Sequence, residues 1–503
     1  MLAGSGVSAM GTGIEQETFD EVDYDRFRQR LEQCLATLGR LLQRPGFGMG
    51  PTTLGAELEL FLVDGTARPL LLNQAVRAAA GDPRVTVELD RFNLELNATP
   101  TLLAGYPFAA LGEELRLLLE RVGDAAQGHG GRLALIGILP TLRRADLHPG
   151  ALSDLPRYRA LDRGLRRLRQ APFYIRIAGA DPLELTSDDV APEGATTSFQ
   201  VHLRVDPAAF ARTYNAVQAA TAPVLAVAGN SPTFLGHRLW EETRVALCKQ
   251  SIDDRDGRGP RRRLARMAFG TGWLRDGPLG LFAEGVRLHQ PLLPVLSDHD
   301  PLDGGDHWHA PPLAELRLHQ GTVWRWNRAI YDPALGGHLR IEMRALPAGP
   351  TVTDMLANAA FLVGLSWWLA EQDQRWTYTM SFERAEHGFY RAAQHGLAAE
   401  LSWPFGQGSR LRTLPAAKLV PQLLPAARDG LLSAGVAAAE ADHLLGVIAA
   451  RVAAGQTGAV WQRRMLATLE PRRGRERALA AMLERYLECA ATDQPVHTWP
   501  TNP

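Results

Sequence analysis

Four short stretches of this chain alternate between aliphatic and polar or charged side chains, and that period of two constrains the fold more than any other feature. In Gly55-Ala56-Glu57-Leu58-Glu59-Leu60-Phe61-Leu62, an extended backbone turns Glu57 and Glu59 to one side and Leu58, Leu60 and Leu62 to the other. In the segment from Val87 to Asn97, Glu95 sits between leucines and shares its side with Asn93 and Asn97, with Glu88 upstream. In Ser198–Val205 one side carries Gln200, His202 and Arg204, and in Leu339–Leu346 it carries Arg340, Glu342 and Arg344. Aliphatic sides of this kind pack against helices to form a core. The polar sides then gather carboxylates, a histidine and arginines on one surface of a sheet.

Crowded carboxylates repel unless positive charge lies between them. Divalent cations supply it, and an oxygen-rich set with one imidazole suits Mg²⁺ or Mn²⁺. Adjacent arginines suit phosphate or carboxylate groups through paired hydrogen bonds. Metal, phosphate and carboxylate together point to phosphoryl transfer onto a carboxylate. Each segment alone has a plainer reading. A Glu-x-Glu strand is an ordinary solvated face, a lone histidine is a surface or core residue, and Arg-x-Glu-x-Arg is an ion-pair ladder.

Alternation is expected near 54–63, 85–97, 133–139, 197–205, 313–320 and 338–346, with helices between, Leu111–Val122 and Pro207–Val227 among them. Residues 1–20 read as a flexible tail and 21–50 as an N-terminal helix with its stop. Residues 51–353 read as an α+β catalytic part, and 354–503 as a helical region packed on it. Helical patterns there cover Asp354–Glu371, 383–400, Leu414–Leu432, Ala437–Ala454 and Gly474–Ala491. Residues 253–312 read as long loops over a site.

Composition narrows the class. Hydrophobic residues are 46% and charged residues 22% of the 503, enough to bury a large core. A formal net charge of −1 offers no field for a nucleic-acid backbone. The arginine clusters Arg166, Arg167, Arg169 and Arg261, Arg262, Arg263 read as solvated helix or loop. Three scattered cysteines, Cys34, Cys248 and Cys489, exclude a disulfide framework and fit a reducing cytoplasm. Met1–Gly13 lacks the pattern of a signal peptide, and the apolar run Ala359–Ala370 is too short to cross a bilayer. Neither a membrane nor a nucleic-acid partner is expected.

The ordered set of motifs resembles the glutamate–cysteine ligase superfamily, in particular its second bacterial branch of carboxylate–amine ligases. The matching pieces are Gly55-Ala56-Glu57-Leu58-Glu59, Glu88 with Glu95-Leu96-Asn97, Gln200-Val201-His202, Asn230-Ser231-Pro232 and Trp240 with Arg244. Further pieces are Trp324-Arg325-Trp326-Asn327-Arg328, Arg340-Ile341-Glu342-Met343-Arg344, Thr351-Val352-Thr353-Asp354 and the later Gly455-Gln456-Thr457-Gly458. The resemblance implies a curved, mostly antiparallel sheet forming a half-barrel funnel like that of glutamine synthetase and the guanidino kinases, with helices outside. It implies that ATP phosphorylates the γ-carboxyl of glutamate and that an amine attacks the acyl phosphate, releasing ADP and phosphate.

By the same resemblance, Glu57, Glu59, Glu88, Glu95, His202 and Glu342 are metal ligands for two or three Mg²⁺ ions. Arg344 neutralises the transferring phosphate beside Glu342, and Arg244, Arg328, Arg340 and Gln200 contact glutamate or ATP. The lead Ser198-Phe199 before Gln200 departs from the Cys-Gly-Thr-like lead of better-known members, and no cysteine-binding set is recognisable. The acceptor amine is therefore open among cysteine, other amino acids, polyamines and larger amines. The helical end either caps the funnel or forms a homodimer. Three other readings stand beside the ligase. One is a guanidino kinase-like phosphotransferase. Another is a non-catalytic relative that binds nucleotide or metal. The third is a transition-metal site in the loop from Asp298 to His309, where His307 and His309 are the imidazoles. The chain contains no GxxxxGK[ST], GxGxxG, GxSxG or HExxH motif.

Overall fold

The structure, a computed structural model, describes residues 14–255, 264–303, 309–405 and 410–502. Arg261–Arg263 and Asp306–Trp308 lie outside the described residues.

The site is built on one seven-stranded sheet. Its strands are β1 (Thr53–Asp64), β2 (Val85–Val87), β3 (Asn93–Leu102), β4 (Gly131–Ala134), β5 (Phe199–Val205), β6 (Asn327–Asp332) and β7 (His338–Met343). They run in the order β6-β7-β5-β1-β3-β2, with β4 also pairing β1, and every pair is antiparallel. β1 is the spine. One edge pairs with β3 from Thr53 to Phe61, with a bulge between Leu54 and Ala56. The other edge pairs β5 from Leu54 to Leu58 and β4 from Phe61 to Asp64. Two successive partners and a bulge bend the sheet, and it curls into an antiparallel half-barrel with helices outside.

Period-two patterning decides which face is buried. Leu58, Leu60, Leu62, Leu94, Leu96, Val201, Leu203, Leu339 and Ile341 are at most 1% exposed. They share a core with Phe108, Leu111 and Leu115 of the helix Pro107–Gly128 and with the helices Phe210–Ala228 and Val352–Glu371. At the β4 end the other face is covered too, by a second core that holds Phe61, Val63, Phe92 and the aromatics Trp461 and Tyr486 of the helical C-terminal part. The charged groups occupy the rest of that face.

The helix Val352–Glu371 is long and apolar enough to cross a membrane by length and composition, contrary to the expectation from its 12-residue apolar core, but 83% of its most apolar window is buried inside the protein. A second apolar window, in Ala438–Arg473, is 61% buried. It is interrupted where Gly455, with φ +57°, ends the helix Ala438–Ala454 before Gly458–Arg473 begins. Buried polar groups lock this layer: Arg451 donates to Asp354 Oδ1 at 2.7 Å and to Asn358 Oδ1 at 2.5 Å.

Several expectations change. Residues 314–320 form a helix rather than a strand, since Ala-Glu-Leu-Arg-Leu has high helix and low strand preference. The missing sixth position is filled by β6, Asn327-Arg328-Ala329-Ile330-Tyr331-Asp332, in which polar and apolar residues do not alternate. Residues 383–400 are helical only to His395, and 400–405 pair with 410–415 in a hairpin. The helix expected from Pro207 starts at Phe210. Within 253–312 a helix covers Leu279–Leu288. Arg169, expected to be solvated, is buried and donates to the Pro172 and Asp253 carbonyls. Residues 14–20, expected to be part of a flexible tail, are tied down: Ile14 is buried and Glu17 accepts from Arg159 at 2.6 Å and Arg163 at 3.0 Å.

Candidate active site

Register places the predicted side chains side by side. Glu59 lies opposite Glu95, Gly55 opposite His202, His202 opposite Glu342, and Glu342 opposite Arg328. Because Glu57 and Glu59 are two residues apart on one strand, each joins a different cluster. Glu57, His202 and Glu342 form one, and Glu59, Glu88 and Glu95 the other; in each, one ligand atom per residue lies within 4.8 Å of the others.

The two clusters differ electrostatically. Glu342 is fully buried, yet Arg328 chelates it (Nε to Oε2 2.6 Å, Nη2 to Oε1 3.0 Å) and Arg344 Nη1 is 3.2 Å from Oε2. Burial opposes its ionisation, but these guanidiniums win and hold its carboxyl well below the usual range. Burial works against Glu57 too, and His202 overcomes it. His202 Nε2 lies 3.2 Å from Glu57 and 3.8 Å from Glu342, buried and without an aligned hydrogen bond among the described residues.

The second cluster has no arginine in an ion pair with it among the described residues. Burial, then Glu59 and Glu193, push the Glu88 carboxyl up to about 8. Burial, then Glu57 and Glu88, raise Glu95 well above its usual value. Glu59 is raised by burial despite Arg344, although Ser198 N and Gln200 Nε2 donate to it at 2.6 and 2.8 Å. Thr86 and Asn97 donate to Glu95 at 3.1 and 3.0 Å. Oxygen-rich donors that repel one another, with one imidazole nitrogen left without an aligned partner, fit Mg²⁺ or Mn²⁺.

Glu57 of the first cluster and all three carboxylates of the second border one cavity of about 470 Å³, whose wall also includes Gln200, Arg328 and Arg344; His202 and Glu342 lie behind Glu57 and outside that wall. Gln200 links the two sides, accepting from Arg344 at 2.5 Å while donating to Glu59. Arg340 instead pairs with Asp332 at 3.0 Å and borders a small adjoining hollow shared with Arg328. Arg244 is not brought to the cavity. It is buried, paired with Glu242 at 3.0 Å and donating to the Arg344 and Ala345 carbonyls, so it braces the strand end that carries Arg344. Trp324 lines the cavity and Trp326 packs beneath it. Sequence reasoning missed Glu193, Arg157 and Tyr158 in the wall. Glu193 sits in the four-residue helix Ala191–Gly194, and the other two open the helix Pro156–Arg169, so no period marks them.

A larger groove of about 1040 Å³ lies elsewhere, at the start of the helix Arg475–Ala490. Its Arg68, Arg143 and Arg475 are already paired with Asp146, Glu476 and Asp181. In the Asp298–His309 loop, no three ligand groups converge among the described residues.

The model of glutamate–cysteine ligase family 2 matches residues 53–481. The chain belongs to that family. Its fold is similar to that of a solved structure. The glutamate–cysteine ligase of Francisella tularensis, solved in complex with AMP, is similar over 90% of both chains, at 11% identity and TM-score 0.54. A bifunctional glutathione synthetase from Pasteurella multocida aligns with 92% of this chain and 55% of its own, at 14% identity and TM-score 0.45. No protein of curated function matches this chain.

Proposed function

We propose that this family member is an ATP-dependent ligase that joins a carboxylate, the γ-carboxyl of glutamate, to an amine through an acyl phosphate, releasing ADP and phosphate. The observation that carries the reading is the juxtaposition, on one cavity wall, of Glu57, Glu59, Glu88 and Glu95 with Arg344 and Arg328, and with Glu342 and His202 grouped behind Glu57. Such a wall is matched to a transferring phosphoryl group flanked by divalent cations.

Glu57, His202 and Glu342 would hold one cation and Glu59, Glu88 and Glu95 another. Mg²⁺ held there would supply the positive charge that offsets the charge building on phosphate during transfer. Arg344 is oriented by Gln200 and Glu342, so its guanidinium is pre-aimed at an anion in the cavity rather than free to swing. No nucleophilic side chain is needed, because the substrate carboxylate attacks the γ-phosphorus of ATP. Tyr158, whose hydroxyl donates to the Val87 carbonyl at 3.1 Å, and Leu161 also line the cavity and would limit water that hydrolyses an acyl phosphate. Three buried free cysteines are consistent with a cytoplasmic enzyme.

A guanidino kinase would transfer phosphate to one acceptor and release ADP without an amine. The carboxylate-dominated wall speaks for a metal-rich ligase instead. A non-catalytic relative would be expected to have lost a ligand carboxylate, and all five are in place. The test is Mg²⁺-dependent ADP release with glutamate and a panel of amines. Release that needs both substrates and vanishes in Glu57→Gln and Glu342→Gln supports the ligase; release with a single acceptor contradicts it.

A further inference from the structure

The cavity has two unlike ends. The sheet end is charged, whereas Leu161, Val190, Ile252 and Leu293 form an apolar wall. These four come from neighbouring segments. Val190 precedes the helix Ala191–Gly194, which packs on the helix Thr243–Ser251 that ends at Ile252. The Val190 N–H donates to Asp162, next to Leu161, and Gly164 lies against Leu292, next to Leu293.

Glu193 lines the same cavity, and Glu59 and Arg344 act on it. Its half-buried carboxylate borders the cavity and, among the described residues, has no hydrogen bond or ion pair. The metal clusters do not use it, and no motif marked it. A carboxylate without an ion pair of its own, beside another carboxylate, is matched to an incoming positive group. An apolar wall beyond it is matched to an apolar body, since each buried CH₂ contributes about 0.8 kcal/mol.

Resting on the ligase reading, we propose that Glu193 receives the ammonium group of the acceptor, and that the acceptor is a primary amine with an apolar body rather than an amino acid or a polyamine. The geometry leaves the nitrogen close to the carboxylate activated beside Arg344. When that nitrogen bonds the acyl carbon, the C–O bond to phosphate breaks and its electrons leave on phosphate. Of the two protons the ammonium loses, one goes to Glu193 and one to the departing phosphate.

The test uses the full chain with Mg²⁺, ATP and glutamate, and measures ADP release with phenethylamine, isoamylamine, cysteine and putrescine. The expected result is a kcat/KM for an apolar amine at least tenfold above those for cysteine and putrescine. Glu193→Gln lowers that kcat/KM at least tenfold through KM for the amine, with KM for ATP within twofold. Leu161→Glu shifts preference toward putrescine, which a merely structural role would not do. Preference of the wild type for cysteine or putrescine overturns the inference. So does an effect of either variant on KM for ATP instead of the amine, which would assign the apolar wall to the nucleobase. Trapping with hydroxylamine separates the two levels. Hydroxamate formation without use of any apolar amine sinks this inference alone, whereas no hydroxamate sinks the ligase reading and this inference with it.

Discussion

Replacing Arg328 by Met tests the electrostatic account of the Glu342 cluster. Glu342 is 0% exposed and owes its ionised state first to Arg328, which chelates both its oxygens. Without that guanidinium the carboxylate remains buried, with the Arg344 guanidinium at 3.2 Å and the His202 ring nitrogen at 3.8 Å. Removing one partner of a buried pair costs about 3–5 kcal/mol. Arg344 remains, so the lower half of that range applies. The entropy of unfolding, about 2.1 cal/mol/K per residue, sums to about 1 kcal/mol/K for 503 residues that unfold together. The melting temperature of Arg328→Met should therefore fall by about 3–4 °C in EDTA, read by calorimetry. Adding Glu342→Gln removes the stranded charge and should recover at least half the loss. A fall under about 1 °C, or a double variant less stable than Arg328→Met, would refute the reasoning.

Three further outcomes are expected. The Glu88 and Glu193 carboxyls, pushed up to about 8 and about 7 mainly by burial, stay protonated in the folded chain where the unfolded chain has already ionised. Because the folded pKa is the raised one, this contribution is complete below the ordinary glutamate value and is lost as pH rises toward about 8. Metal-free protein should thus lose stability between about pH 5 and 8, and Mg²⁺ should raise the melting temperature more at pH 8 than at pH 6; a larger rise at pH 6 contradicts this. Glu17→Ala should speed hydrogen exchange in residues 15–20 and leave the global melting temperature unchanged; unaltered exchange would show that its arginine pairs do not hold the segment. Gly364→Leu should lower the melting temperature or abolish folding, because a Cβ there would lie 2.3 Å from the Ala427 carbonyl oxygen where two helices cross; overpacking costs about 1–3 kcal/mol, and no change would contradict the crossing.

The strands carrying Glu57, Glu59, Glu95, His202 and Glu342 were legible because aliphatic and polar side chains alternate along them, and the pleat puts alternating residues on one wall even though both faces are largely buried. β6, Asn327-Arg328-Ala329-Ile330-Tyr331-Asp332, has no such alternation to read. Residues 314–320 show the limit of a short apolar run, where residue preference decides between helix and strand. Arg244 carries a charge that reads as available in sequence, but in the structure its donors are held by Glu242 and two carbonyls. Glu193 and Arg157 reach the cavity through a single helical turn and a helix start, positions that no local period announces.

The central claim, a carboxylate activated as an acyl phosphate, is tested most directly by isotope transfer. Glutamate labelled with ¹⁸O in its γ-carboxyl is turned over with ATP, Mg²⁺ and the best amine, and the released phosphate is weighed by mass spectrometry. The account predicts one ¹⁸O atom in each phosphate, left behind when the amine displaces it. Phosphate without label, alongside continued ADP release, would contradict it.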